Sequence, residues 1–264
     1  MRSSLCSVAM PSTFARSPTA HAAALQRLDR IDALRALAMV WMTAYHFAFD
    51  LRFFGWLDAD FYRDPFWTLQ RTAIVSLFLF CAGLGQAVAH AQGQGWARFW
   101  RRWGRVAGCA LLVSVGSWWV FPHSFIYFGV LHGLAAMLIV ARLSAAWPSA
   151  VLLPLAFVAL VLPVGAATLI AAQPQLMWLN EPWANWLGLI SHKPITEDYV
   201  PLMPWLGVMW LGMLCGRWAL ARGGSVLRGA APRWLAGLGR WSLSYYMLHQ
   251  PVLLGLLTAV RHLA

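Results

Sequence analysis

Residues Arg30–Leu51 read RIDALRALAMVWMTAYHFAFDL. From Ala36 to Phe49 the stretch is apolar enough to lie in lipid, yet Arg35 stands at one end and His46 and Asp50 near the other. On a helix turning roughly 100° per residue, Arg35, Met39, Met42, His46 and Asp50 fall on one narrow stripe. Arg35 and His46 lie about 16 Å apart along the axis. The i, i+4 spacing of His46 and Asp50 puts the carboxylate within reach of the imidazole. An ionisable group inside a membrane helix is costly and faces a protein interior or a water-filled cavity. The stretch therefore reads as the first helix of a membrane bundle, with its functional stripe turned inward.

The composition agrees. The 264 residues are 60% hydrophobic and 11% charged, against about 25% charged in a soluble domain. The expected fold is all-α, a polytopic integral membrane helical bundle of about seven transmembrane helices. Their expected spans are about Ile31–Phe53, Arg71–Ala91, Trp103–Val120, Phe125–Leu143, Trp147–Ala171, Pro201–Leu220 and Trp241–Val260. A tight FPHS turn, Phe121–Ser124, is expected between the third and fourth. Residues 1–27 read as a disordered cytoplasmic tail without a signal-peptide core, and residues 28–264 as a single transmembrane domain.

The net charge of +11 lies in arginines between apolar runs, while seven of the nine acidic residues lie at or in the alternate loops. The positive-inside rule then predicts a cytoplasmic N-terminus and an external C-terminus. Membrane topology accounts for this basicity, so the lipid bilayer is the expected partner and nucleic acid is not. The cysteines Cys6, Cys81, Cys109 and Cys215 form neither a CxxC pair nor a zinc spacing, and no metal is expected. No Walker loop, HExxH or GxSxG occurs.

Within the stripe, a neutral His46 can take a proton from a hydroxyl or amine, or accept an acyl group, with Asp50 orienting the ring. Arg35 can bind an anion or pair with Asp32, three residues back. His249 begins HQP in SLSYYMLHQPV, where Ser242, Tyr245 and His249 share a face and Pro251 frees the Met247 carbonyl. It is a candidate second wall of the site. His132 reads better as a structural hydrogen-bonding histidine, and His123 and His192 as solvated loop residues. Arg98, Arg101, Arg102, Arg105 and the arginines after the sixth helix form a basic rim. Within it Arg240, in GLGRWSLS, opens the last helix beside Gly237 and Gly239, an arrangement suited to an anion.

RIDALRALAMVWMTAYHFAFDLRFFGW resembles the first helix of bacterial members of the heparan-alpha-glucosaminide N-acetyltransferase catalytic-domain family. SLFLFCAGLG, FPHSFIYFGVLH, DYVPLMPWLGVMWLGMLCGR and LGRWSLSYYMLHQPVLL are similar to its later helices, in the same order. The opening also resembles that of the membrane acyltransferases that O-acetylate surface polysaccharides. The resemblance implies an enzyme that takes acetyl from cytoplasmic acetyl-CoA, bound as a coenzyme A thioester, and delivers it to a glycan or similar envelope acceptor outside. Arg35 and Arg240 would then hold the coenzyme, and His46, Asp50 and His249 would carry the chemistry. The chain departs from the family at Ala36, where glycine is usual. It also has no histidine between His46 and His90, where animal members place one. Two rival functions use the same residues: a haem protein ligated by two of His46, His132 and His249, and a transporter or lipid carrier.

Overall fold

The computed structural model describes residues 28–228 and 231–263; the expected tail over 1–27 lies outside them. Among the described residues every regular element is helical. The long helices are α1 (Asp29–Phe53), α2 (Pro65–Ala91), α3 (Trp96–Val120), α4 (Val130–Leu143), α5 (Ser149–Ala172) and α6 (Trp205–Ala221). Two short helices follow, α7 (Ser225–Arg228) and α8 (Arg233–Arg240), and α9 (Ser242–Leu263) ends the bundle. By length and apolarity α2, α5 and α9 are able to cross a membrane; α6, and α4 with the turn after it, are shorter apolar helices.

Two helices begin earlier than their apolar runs. Asp64 caps α2, its carboxylate accepting the Phe66 N–H at 2.8 Å, and Pro65 takes the first helical position. The cap starts the helix six residues before the expected Arg71. Likewise α3 begins at Trp96, so Arg98, Arg101 and Arg102 join Arg105 on the helix. Conversely, α4 starts later than expected. The segment before it is extended and pinned to residues 196–200, with the Val200 N–H on the Phe128 carbonyl and the Glu197 N–H on the Ser124 carbonyl. The expected tight turn is therefore only the first part of a longer link. Asp198 accepts the Val130 N–H at 2.7 Å and so caps α4 from a distant segment.

The core lies where α2, α4 and α6 meet, around Leu79, Leu131, Met137, Met209 and Met213. Small residues allow this approach: a Cβ on Gly83 would run into the Met209 backbone, and one on Gly212 into that of Phe80. A second cluster surrounds the C-terminal half of α1, with Met39, Met42, Tyr45, Phe61 and Ile74. Outer faces are apolar and exposed, as at Val161 and Val164 on α5 and Leu256 on α9. An exposed apolar face of this extent is what lipid covers.

Candidate functional site: a buried histidine pair beside an arginine cavity

The stripe on α1 faces the bundle. Met39, Met42 and Asp50 are buried, and Arg35 and His46 are half-buried. Its partner is α9. The rings of His46 and His249 meet edge to face with centroids 5.2 Å apart. Tyr245 stacks parallel on His249, and its hydroxyl is 2.7 Å from that of Thr43 on α1. Tyr45 closes the other side of His46. The His249 Nδ1–H donates to the Tyr246 carbonyl at 2.6 Å, which leaves a lone pair at Nε2.

Asp50 departs from expectation. It is only 1% exposed, and its hydrogen bond comes from Gln250 Nε2, at 2.7 Å to Oδ1, not from His46. The spacing does put both side chains on one face, but α9 packs onto that face and supplies Gln250 as the donor. The carbonyl that orients His249 is that of Tyr246, three residues back on the same helix.

Five buried side-chain atoms among the described residues lack a hydrogen-bond partner in the protein. Four of them lie in this cluster: His46 Nδ1, Asp50 Oδ2, His249 Nε2 and Gln250 Oε1. Buried polar atoms are nearly always paired, so four unpaired ones on two facing helices make this cluster the candidate site.

Toward the arginine-rich end lies a cavity of about 290 Å³. Its polar lining includes Arg35, Arg102, Arg105 and Arg240, and its apolar walls include Phe78, Leu131, Leu134 and Leu138. Ser242 and Tyr246 of α9 also line it. Tyr246 thus faces the cavity while its carbonyl holds His249, three residues and about 4.5 Å further along the helix. Both expected anion anchors, Arg35 and Arg240, belong to this cavity. Arg35 donates to Asp32 at 2.8 Å and to the Gly239 carbonyl at 3.4 Å; Arg240 donates to Asp29 at 3.0 Å.

Arg240 does not open a helix. It closes α8, and α9 begins at Ser242. Gly239 serves the approach of α8 to α1, because a Cβ there would strike the Asp32 backbone. Arg102 and Arg105, members of the expected basic rim, line the cavity together because α3 places them one turn apart. Gln250 adjoins His249 in the HQP run. Its role depends on Asp50, 200 residues away.

His132 is engaged at both nitrogens. The Ser114 hydroxyl lies 3.0 Å from Nε2, and the Gly129 N–H donates to Nδ1. It is a structural histidine, and haem ligation through either nitrogen would cost it a hydrogen bond there. The His46 and His249 rings touch directly, which leaves no slot for a macrocycle between them. At the opposite end of the bundle from the arginines, Arg52 and Lys193 flank the Tyr62 ring, at 5.6 and 5.7 Å from its centroid. There burial pushes the Asp198 carboxyl above the usual carboxylate range, against the pull of the Val130 N–H, and pushes the Lys193 ammonium down. The backbone N–H of Tyr62 holds Asp60 below its ordinary value.

The chain matches the family described as heparan-alpha-glucosaminide N-acetyltransferase, catalytic, over residues 27–251. The chain belongs to this family. The matched span contains Arg35, His46, Asp50, Arg102, Arg105, Arg240 and His249, so both halves of the site lie within the family's catalytic domain. Membership makes the chain one of a family of membrane acetyltransferases. No curated protein and no solved structure matches it.

Proposed function

We propose that this chain is a seven-span acetyltransferase of the bacterial inner membrane, with its N-terminus in the cytoplasm and its C-terminus in the periplasm. It takes acetyl from cytoplasmic acetyl-CoA and transfers it to a hydroxyl or amine of an envelope glycan or similar acceptor on the outer side. The reading rests on one observation above all: His249, in a cluster of four unpaired buried polar atoms, stands about one helical turn from Tyr246, which lines a cavity with four arginines. Guanidinium groups suit the phosphates of a coenzyme, since each can grip a phosphate through two N–H groups. The apolar walls beyond them suit a thioester arm.

The histidine pair supplies the chemistry. The acceptor oxygen or nitrogen attacks the thioester carbonyl carbon, and the C–S bond breaks as the new bond forms. A histidine nitrogen takes the acceptor proton, and the departing thiolate receives a proton in turn. In a two-step form, a histidine nitrogen attacks first and releases the thiol, and the acceptor then displaces the imidazole. His249 enters either route with its tautomer set by the Tyr246 carbonyl. His46 stands in ring contact with it, while Asp50 and Gln250 complete the polar group.

Mass spectrometry of envelope glycans from cells with and without the protein tests the acceptor class. Loss of acetyl groups from one glycan is expected without it. An unchanged acetylation pattern would remove the envelope glycan as acceptor.

A further inference from the structure

Resting on the reading of the arginine cavity as the coenzyme site, we propose that Asp29 and Asp32 form an internal counter-anion. They compete with the ligand's phosphates for Arg240 and Arg35, while Arg102 and Arg105 make the primary phosphate contacts.

The four cavity arginines are not equivalent. Arg35 pairs with Asp32 at 2.8 Å, and Arg240 with Asp29 at 3.0 Å and with Asp32 at 3.9 Å. Arg102 and Arg105 have no ion pair or side-chain hydrogen bond among the described residues, and no aspartate or glutamate lines the cavity among them. Of the nine acidic residues in the chain, Asp29 and Asp32 alone lie at the N-terminal end of α1. The others stand on or beyond the last turn of α1, or in the segment between α5 and α6. Four guanidinium groups therefore share two carboxylates, and the excess charge calls for an anion.

The order of engagement follows from the pairing. An anion reaching the cavity meets Arg102 and Arg105 without displacing anything. Arg240 is held by a pair whose side chains are 40% exposed on both sides, and exposed pairs are weak. A phosphate, with more charge and a better bidentate fit, can take Arg240 from Asp29. Arg35 and Asp32 are more enclosed, at 22% and 19%, and exchange later. The same carboxylates tie α8 to α1 while no anion is bound. A single negative charge gains nothing by replacing a carboxylate and stays with Arg102 and Arg105, so only a polyanion engages all four arginines.

Calorimetric titration of the full-length protein in detergent with coenzyme A, and separately with pyrophosphate, tests this. Arg102→Ala with Arg105→Ala should raise Kd by about tenfold or more, the scale of charge-assisted contacts, and more than Arg240→Ala does. Asp29→Asn with Asp32→Asn should lower Kd for both ligands by roughly threefold to tenfold, as expected for lost competition from partly exposed pairs. The single Asp29→Asn variant, at an exposed position, should move in the same direction if the double variant folds poorly. Asparagine variants that bind like wild type or more weakly would overturn the counter-anion. An arginine double variant with unchanged Kd would overturn the assignment of primary contacts. If wild type binds pyrophosphate but not coenzyme A, the coenzyme reading fails by itself. Tighter pyrophosphate binding by the asparagine variant then still supports the counter-anion, and no tightening overturns it, as does no binding of either ligand.

Discussion

At the scale of single residues, the site depends on which buried atoms are held and which are left open. Gln250 donates to one Asp50 oxygen and leaves the other open. Gln250→Ala should therefore do more than remove a contact. It strips a buried carboxyl of its one hydrogen bond from the described residues, a loss of about 1–3 kcal/mol, and it frees Asp50 to turn toward His46. The expected outcome is a lower unfolding temperature in detergent together with lower turnover. Gln250→Glu sets two carboxyl groups side by side and should be worse than alanine at neutral pH, improving as pH falls and one of them takes a proton. An unfolding temperature for Gln250→Ala equal to wild type would contradict the role of this bond. The stripe itself was legible in the sequence, because helical spacing alone puts Arg35, His46 and Asp50 on one face. The partner of Asp50 was not, because i, i+4 proximity shows only what can be reached. The choice is made by α9, from the far end of the chain.

At the scale of elements, apolar runs located the helices but not their ends. Ends are set by local chemistry that hydropathy does not register: the Asp64 cap with Pro65 starts α2, and the arginines of α3 extend a helix beyond its apolar part. This shift matters for the site, since it puts Arg102 on the helix with Arg105, where both line one cavity. Close helix approach at Gly83 brings it against a backbone on α6. Gly83→Ala should force α2 and α6 apart and cost about 1–3 kcal/mol, the scale of an overpacked core. Gly104→Ala on α3, where a Cβ meets nothing within 4 Å, should be neutral or slightly stabilising. Comparison of the two unfolding temperatures in detergent checks this. Equal temperatures would contradict the packing assigned to Gly83.

At the scale of the whole molecule, three helices qualify as spans by length and apolarity, and the proposed seven require α1, α3, α4 and α6 to cross as well. Such helices are tolerated where their charged residues turn inward or sit at a membrane edge, as the stripe of α1 does. Reporter fusions after Leu263 should then be active only with a periplasm-dependent reporter, and activity of a cytoplasmic reporter there would reduce the span count by an odd number. Along α9 the arginine cavity, Tyr246 and the histidine pair follow one another, the order in which the proposed function has the donor bind and the acetyl group transfer. The most direct measurement is transfer of labelled acetyl from acetyl-CoA into membrane vesicles carrying the native envelope acceptors, normalised to folded protein. Wild type should incorporate label. His46→Ala should lose about 10²–10⁴ in rate, the range of general-base catalysis, while its affinity for coenzyme A stays within about twofold of wild type, because the charge-assisted contacts lie in the arginine cavity. A His46→Ala protein that transfers acetyl at the wild-type rate would contradict the account.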